Sequence, residues 1–281
     1  MELIEKIERV PYIDFGGEGQ LVHFAHANGY PPESYRQLAE VLSTDHQVVG
    51  MLQKPLWGNN NFSDIKTWHS LADDMIRFLD ENNMSQIVGV GHSLGAVVSV
   101  LASHKRPDLF KQLFLIEPVI FPKAMTTINH LLPMWLRKKY VPVCKIALAR
   151  KDHWEDRREL FDSYRNKKVF RRLSDESLKD WIAAGTVSDE SGGITLRFTK
   201  EWEAHMYATV TNVLSEIKNS SIPIHVMRGE RTDVISDRIW KKLRQQLGEE
   251  RCENFSDAGH LLPMERPVAV GKWISDKIDL I

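Results

Sequence analysis

Cysteine is scarce in this chain, with Cys144 and Cys252 the only two. That excludes a disulfide framework and a Cys-rich zinc site, and no thiol chemistry is indicated. Long apolar runs are missing too: none approaches the roughly eighteen uncharged residues of a membrane-spanning helix. The first nine residues, Met1 to Arg9, carry charges where a secretory signal needs an apolar stretch. The expectation is a cytoplasmic protein with no stable membrane insertion. An excess of one charge is lacking as well, since 37 Lys+Arg stand against 38 Asp+Glu. A bulk-basic nucleic-acid binder is thereby excluded, and no nucleic-acid partner is expected. At 42% hydrophobic residues, the chain is too apolar to be disordered. Internal repeats, low-complexity tracts, a Gly-rich phosphate loop and an HExxH zinc motif are all absent. His23 and His26 would point to opposite faces of a strand. Neither a metal nor an organic cofactor is expected.

What the chain does have is length and an α/β rhythm. Its 281 residues are about twice the commonest domain size, so one core plus an insertion is the starting expectation. Apolar strand patterns run over Ile7–Phe15, Leu21–Ala25, His46–Leu52, Gln86–Val90 and Leu113–Ile116. Helical spacing covers Ser34–Leu42, Ile65–Asn82 and Ser93–His104. Repeated β-α units imply an α/β protein with a mostly parallel central sheet flanked by helices. The rhythm stops between Ile120 and Asn219, where helical stretches and the turn signal Ser191-Gly192-Gly193 take over. It resumes with the strand Ile222–Met227, a helix through Ile239, Trp240 and Leu243, the segment Cys252–Phe255 and a last helix Val268–Ile278. Residues 1–119 and 220–281 therefore read as the core and 120–219 as a helical insertion. Within that insertion, Arg137 to Arg172 holds thirteen Lys/Arg against five Asp/Glu. Either this is a solvated face, or it is a docking surface for an anionic substrate, an acidic carrier protein or an anionic membrane.

The chemistry-bearing motif is Gly91-His92-Ser93-Leu94-Gly95, a G-x-S-x-G sequence that follows an apolar strand directly and opens a helix. That context suits a nucleophile elbow. The strained turn lifts the serine hydroxyl above the sheet, and the flanking glycines let strand and helix approach closely. A serine hydroxyl needs a base, and His260 is the best placed of eleven histidines, between the last strand and the last helix. A carboxylate must orient that imidazole. Asp233, after the strand Ile222–Met227, is the first choice. Glu230 competes nearby, and Glu117 follows another strand from which the same histidine can be reached. A purely structural role for Asp233 would be to cap the helix that begins near Ser236.

The order Ser93, Asp233, His260 is that of α/β-hydrolases, and the sequence resembles a capped member of that superfamily throughout its length. The matching pieces are Phe24-Ala25-His26-Ala27-Asn28-Gly29, the Ser93 elbow, Arg228-Gly229-Glu230 with Asp233, and Gly259-His260 before Glu265-Arg266-Pro267. The resemblance implies a helical cap inserted after the sixth strand. It also implies an oxyanion hole from the backbone N–H of Leu94 and that of Asn28 or Ala27. Gln53-Lys54-Pro55-Leu56-Trp57 departs from the Asp-x-x-Gly-x-Gly of many relatives. Serine at the elbow argues against the haloalkane dehalogenase and epoxide hydrolase branches, and Leu261 against the carbon–carbon bond hydrolases.

The apolar stretch Leu131–Leu136, with Trp135, and the separate Trp57 are candidate walls of an acyl or aromatic pocket; alternatively these residues only join insertion to core. The function expected is hydrolysis of a small-molecule carboxylic ester or thioester by a serine hydrolase. A thioesterase acting on an anionic carrier and a catalytically silent binding protein on the same fold are the alternatives.

Overall fold

Strand-forming segments alternate with helices until Ile116, and the computed structural model, which describes residues 9–58, 61–121 and 123–278, shows the sheet they build. Its strands are β1 (Tyr12–Gly16), β2 (Gln20–Ala25), β3 (His46–Met51), β4 (Ile87–His92) and β5 (Phe110–Ile116), joined after the insertion by β9 (Ile224–Gly229) and β10 (Cys252–Phe255). The seven strands lie in the order β1-β3-β2-β4-β5-β9-β10, with β1 antiparallel and the others parallel. The first described strand begins at Tyr12; Ile7, where the apolar pattern of the sequence starts, lies outside the described residues.

Helices cover both faces of the sheet, as a parallel sheet requires. On one face pack α2 (His69–Glu81), α3 (Leu94–Lys105) and α11 (Asp237–Leu247), in a cluster with Leu71, Met75, Val97, Leu101 and Leu243. On the other lie α1 (Arg36–Leu42), α12 (Leu262–Glu265) and α13 (Pro267–Ile278), around Leu38, Val48, Phe114 and Ile274. Helix α3 is buried from Leu94 to Ser103, so the element that follows Ser93 is a core helix anchored all round. The helix Asp237–Leu247 is capped by Ser236, whose side chain accepts from the Ile239 N–H; Asp233 plays no part in that cap.

Among the described residues, the insertion leaves the sheet after the fifth strand in chain order rather than the sixth, because one antiparallel strand precedes the parallel set there. It contains α4 (Lys123–Leu131), α5 (Met134–Tyr140), α6 (Pro142–Leu148), α7 (Arg157–Arg165), α8 (Asp175–Gly185), α9 (Lys200–Ala208) and α10 (Leu214–Lys218). It is not wholly helical. Strands β6 (His153–Trp154), β7 (Thr186–Ser188) and β8 (Ile194–Leu196) form a small antiparallel sheet in the order β6-β8-β7, closed by the left-handed Gly192 and Gly193. Trp154, Tyr164 and Trp181 of the insertion join the same apolar cluster as the α1 face of the main sheet. Among the described residues, no helix is long and apolar enough to cross a membrane.

Candidate active site

The sheet places its functional loops where its strand order reverses. From β2 the chain adds β3 on one side and then β4 on the other, so the loops after β2 and β4 face each other across that switch point. Ser93 stands at the end of β4 with φ 54° and ψ −114°, a conformation that non-glycine residues adopt at a cost of about 1–3 kcal/mol. The fold holds it there: its N–H donates to the Ile116 carbonyl at 2.9 Å. The two glycines of the motif make the turn possible. A Cβ on Gly95 would stand 2.0 Å from the Ala25 carbonyl oxygen, and one on Gly91 would stand 2.6 Å from the Ala96 Cα.

The Ser93 hydroxyl lies 3.0 Å from His260 Nε2, and His260 Nδ1 lies 3.1 Å from Glu117 Oε2. Facing a carboxylate, Nδ1 carries the proton, which leaves Nε2 free to accept from the serine. Glu117 is fully buried at the end of β5, with φ 51°. Its carboxylate also accepts from the Gly229 N–H at 2.6 Å and from the Thr232 hydroxyl at 2.5 Å. This is the arrangement a charged carboxylate needs to persist away from water.

The structure thus corrects the expectation that Asp233 faces His260. Asp233 is exposed. The chain turns sharply after β9, with Thr232 N–H bonded to the Gly229 carbonyl and Arg231 N–H to that of Ala258. The turn brings donors from Gly229 and Thr232 onto Glu117 and sends Asp233 outward. Glu230 does not reach the histidine either; its carboxylate accepts from the Asp257 N–H at 3.1 Å and braces the loop that carries His260. Glu265 holds that loop from the other side by accepting from the Gly259 N–H at 2.7 Å, and burial pushes its carboxyl up.

A second hydrogen-bonded line, which no local sequence signal announced, joins the two loops. Tyr35 places its hydroxyl 2.8 Å from His92 Nδ1 and accepts from the Ala27 N–H at 3.2 Å. His92 Nε2 sits 2.8 Å from the carbonyl of His260, so it is the protonated nitrogen and Nδ1 accepts from Tyr35. Burial holds His92 well below its ordinary pKa and keeps it neutral. His26 anchors the same loop, with Nδ1 donating to the Ala27 carbonyl at 2.8 Å and Nε2 accepting from the Gln53 N–H at 3.0 Å. Burial lowers its pKa to about 4. The departure at Gln53 therefore has a use, because its amide also donates to the His26 carbonyl at 2.6 Å.

The insertion meets this loop directly. Asn28 donates through Nδ2 to the Glu203 carbonyl at 3.1 Å, and the Trp181 indole donates to the Gly29 carbonyl at 3.3 Å. Glu203 is buried beside Gly29 and ion-paired with Arg150 at 2.6 Å; burial raises its pKa and the guanidinium opposes the rise. Leu94 is buried immediately after Ser93. Trp57 is buried in the core cluster, its indole donating to the Leu52 carbonyl at 2.6 Å, whereas Trp135 is 64% exposed and faces solvent rather than closing a wall. Among the described residues, no group of three or more His, Cys, Asp or Glu converges to hold a metal ion.

Comparison with known proteins adds the lineage of this arrangement. The Alpha/beta hydrolase family matches residues 24–272. The chain belongs to that family. The uncharacterized hydrolase YugF of Bacillus subtilis (strain 168) is 24% identical over 247 residues, which are 87% of this chain and 85% of that one. A probable esterase of Oryza sativa subsp. japonica is 30% identical over 121 residues, covering 42% of this chain and 44% of its own. Among solved structures, an E-2-(acetamidomethylene)succinate hydrolase superposes with a TM-score of 0.75 at 18% identity, over 95% of this chain and 94% of that one; this likeness concerns the fold. This family member therefore carries, at its sheet switch point, a buried carboxylate, an imidazole and a serine hydroxyl in one line.

Proposed function

We propose that this chain hydrolyses carboxylic esters through an acyl-enzyme, with Ser93 as nucleophile, His260 as base and Glu117 as the acid that orients it. The observation that supports this most is the unbroken line from Glu117 Oε2 through His260 to Ser93 Oγ, at 3.1 and 3.0 Å. In the first step His260 Nε2 takes the serine proton while Ser93 Oγ bonds to the ester carbonyl carbon. The resulting oxyanion is held by two backbone donors. One is Leu94, whose N–H opens α3 where no intrahelical partner exists. The other is Asn28, since the Ala27 N–H is already given to Tyr35. Each donor of this kind is worth about 3–4 kcal/mol of transition-state stabilisation. Collapse expels the alcohol, which receives the proton from His260. Water, deprotonated by the same nitrogen, then cleaves the acyl-serine and releases the acid.

In this reading the insertion roofs the serine, and its bonds to Asn28 and Gly29 support that role by tying the roof to the oxyanion loop. Turnover of short p-nitrophenyl esters tests the proposal. Wild-type protein should release p-nitrophenol and Ser93→Ala should not. A folded wild type inert toward every ester and thioester tried would overturn it in favour of a silent binding protein.

A further inference from the structure

Helices normally turn their large apolar residues inward; α5 and α6 do the reverse. Helix α5 buries no residue, and α6 buries only Cys144 and Ala147, against the small side chains Ala204 and Ala208 of α9. Several of the large apolar side chains described on α4 to α6 face water instead, while Met134 is partly buried against that cluster. Leu131 is 79% exposed and Ile146 72%, with Ile128, Trp135, Tyr140 and Val143 exposed beside them. These are among the most exposed large apolar residues described in the protein, and they are concentrated within twenty residues of sequence.

The charge of this region is equally one-sided. Between Glu117 and Asp152 the sequence contains no Asp or Glu and seven Lys or Arg. Of those seven, Arg150 and Lys151 are already paired with Glu203 and Glu159, and farther along Arg165 pairs with Asp175. Arg137 is spent on the carbonyls of His130, Leu132 and Ala208, where it braces α5 against α9. Lys139 and Lys145 remain exposed among the apolar side chains, and no ion pair among the described residues engages them.

The geometry points to a docking face, built from α4, α5 and α6, for an anionic phospholipid bilayer. Leu131, Ile128 and Ile146 would enter the acyl boundary, Trp135 and Tyr140 would lie at headgroup level, and Lys139 and Lys145 would reach the lipid phosphates. Pro133 and Pro142 divide the segment into short helices that lie on the surface and do not span it. A second copy of the chain is the poorer occupant. A two-fold contact through this face would bring two faces of the same positive sign together, with no acidic residue on α4 to α6 to pair across it.

This inference goes beyond the hydrolase reading and stands apart from it. The test is co-sedimentation of the full chain with vesicles of phosphatidylcholine alone and of an equimolar mixture with phosphatidylglycerol. Wild type should partition onto the mixed vesicles, prefer them to the neutral ones and leave them in high salt. Lys139→Ala/Lys145→Ala should weaken partitioning about 25-fold, about fivefold for each lysine. Ile128→Ser/Ile146→Ser should weaken it about tenfold or more. Both double variants should keep the wild-type circular dichroism spectrum and ester turnover, and Ser93→Ala should bind vesicles as wild type does, so that the two proposals fail separately. Absence of binding to mixed vesicles at low salt, or binding indifferent to these substitutions, would overturn the inference. So would a dimer in sedimentation equilibrium that Ile128→Ser/Ile146→Ser abolishes while vesicles capture no protein.

Discussion

Replacing Glu117 by glutamine changes one oxygen to an NH2 group at a fully buried site, where the neighbouring donors and acceptors set the effect. The Gly229 N–H requires an acceptor at 2.6 Å, so the amide oxygen stays on that side. The amide nitrogen then faces Thr232 and His260 Nδ1. The threonine hydroxyl can rotate to accept. The imidazole must instead move its proton to Nε2, where it can no longer take one from Ser93. A wrongly protonated histidine of this kind lowers turnover by about 10⁴-fold, or about 5.5 kcal/mol of barrier. The opposite flip restores the imidazole but sets the Gly229 N–H against an amide N–H, at about 1–3 kcal/mol of stability. Asp233→Asn alters an exposed carboxylate outside this line and should change turnover by less than about twofold. The assay is steady-state hydrolysis of a short p-nitrophenyl ester, with urea denaturation as the control for folding. A loss of about 10³-fold or more in Asp233→Asn would assign the orienting carboxylate to Asp233 instead, even if Glu117→Gln failed to fold.

Other perturbations act through the same network of contacts. Tyr35→Phe strips the partner from both the Ala27 N–H and His92 Nδ1. It should cost about 2–4 kcal/mol in urea denaturation and lower turnover about tenfold, with unchanged stability contradicting the relay. Gly95→Ala would set a Cβ 2.0 Å from the Ala25 carbonyl oxygen, so a loss of about 4 kcal/mol or no soluble protein is expected; a wild-type melting temperature would show that α3 can move off β2. His26, with its pKa lowered to about 4, and His23, lowered to about 3, are held neutral by burial. The unfolded chain binds their protons first, so this contribution is complete above pH 6.5 and is lost as pH falls toward 4 and 3. For His26 alone the loss is about 3 kcal/mol. A flat denaturation midpoint from pH 7 to pH 4 would contradict it.

Sequence made some of this legible because the requirement was local. Gly91 and Gly95 are dictated by the closeness of β4, α3 and β2, and that closeness is written into the motif itself. The acid was a different matter. Glu117 and Asp233 both come after strands, and nothing local says which side chain turns toward His260. The register of β5 on β9, which pairs Ile116 with Met227, sets Glu117 beside the Gly229 turn, and pairing across more than a hundred residues leaves no mark in either segment. Tyr35 was hidden for the same reason, since it meets His92 from fifty-seven residues away. The small sheet of the insertion is not legible in the sequence because strands of two or three residues show no alternation. In the sequence Trp135 is a candidate for a pocket wall or for the join between insertion and core, because apolar residues normally seek cover, which α5 does not provide.

The proposed mechanism depends above all on Ser93 being an activated nucleophile. Peptide mapping of protein treated with a fluorophosphonate tests it most directly. One phosphonyl adduct is expected, on the peptide containing Ser93, and His260→Ala should abolish it. An unlabelled folded wild type, or equal labelling in His260→Ala, would contradict it.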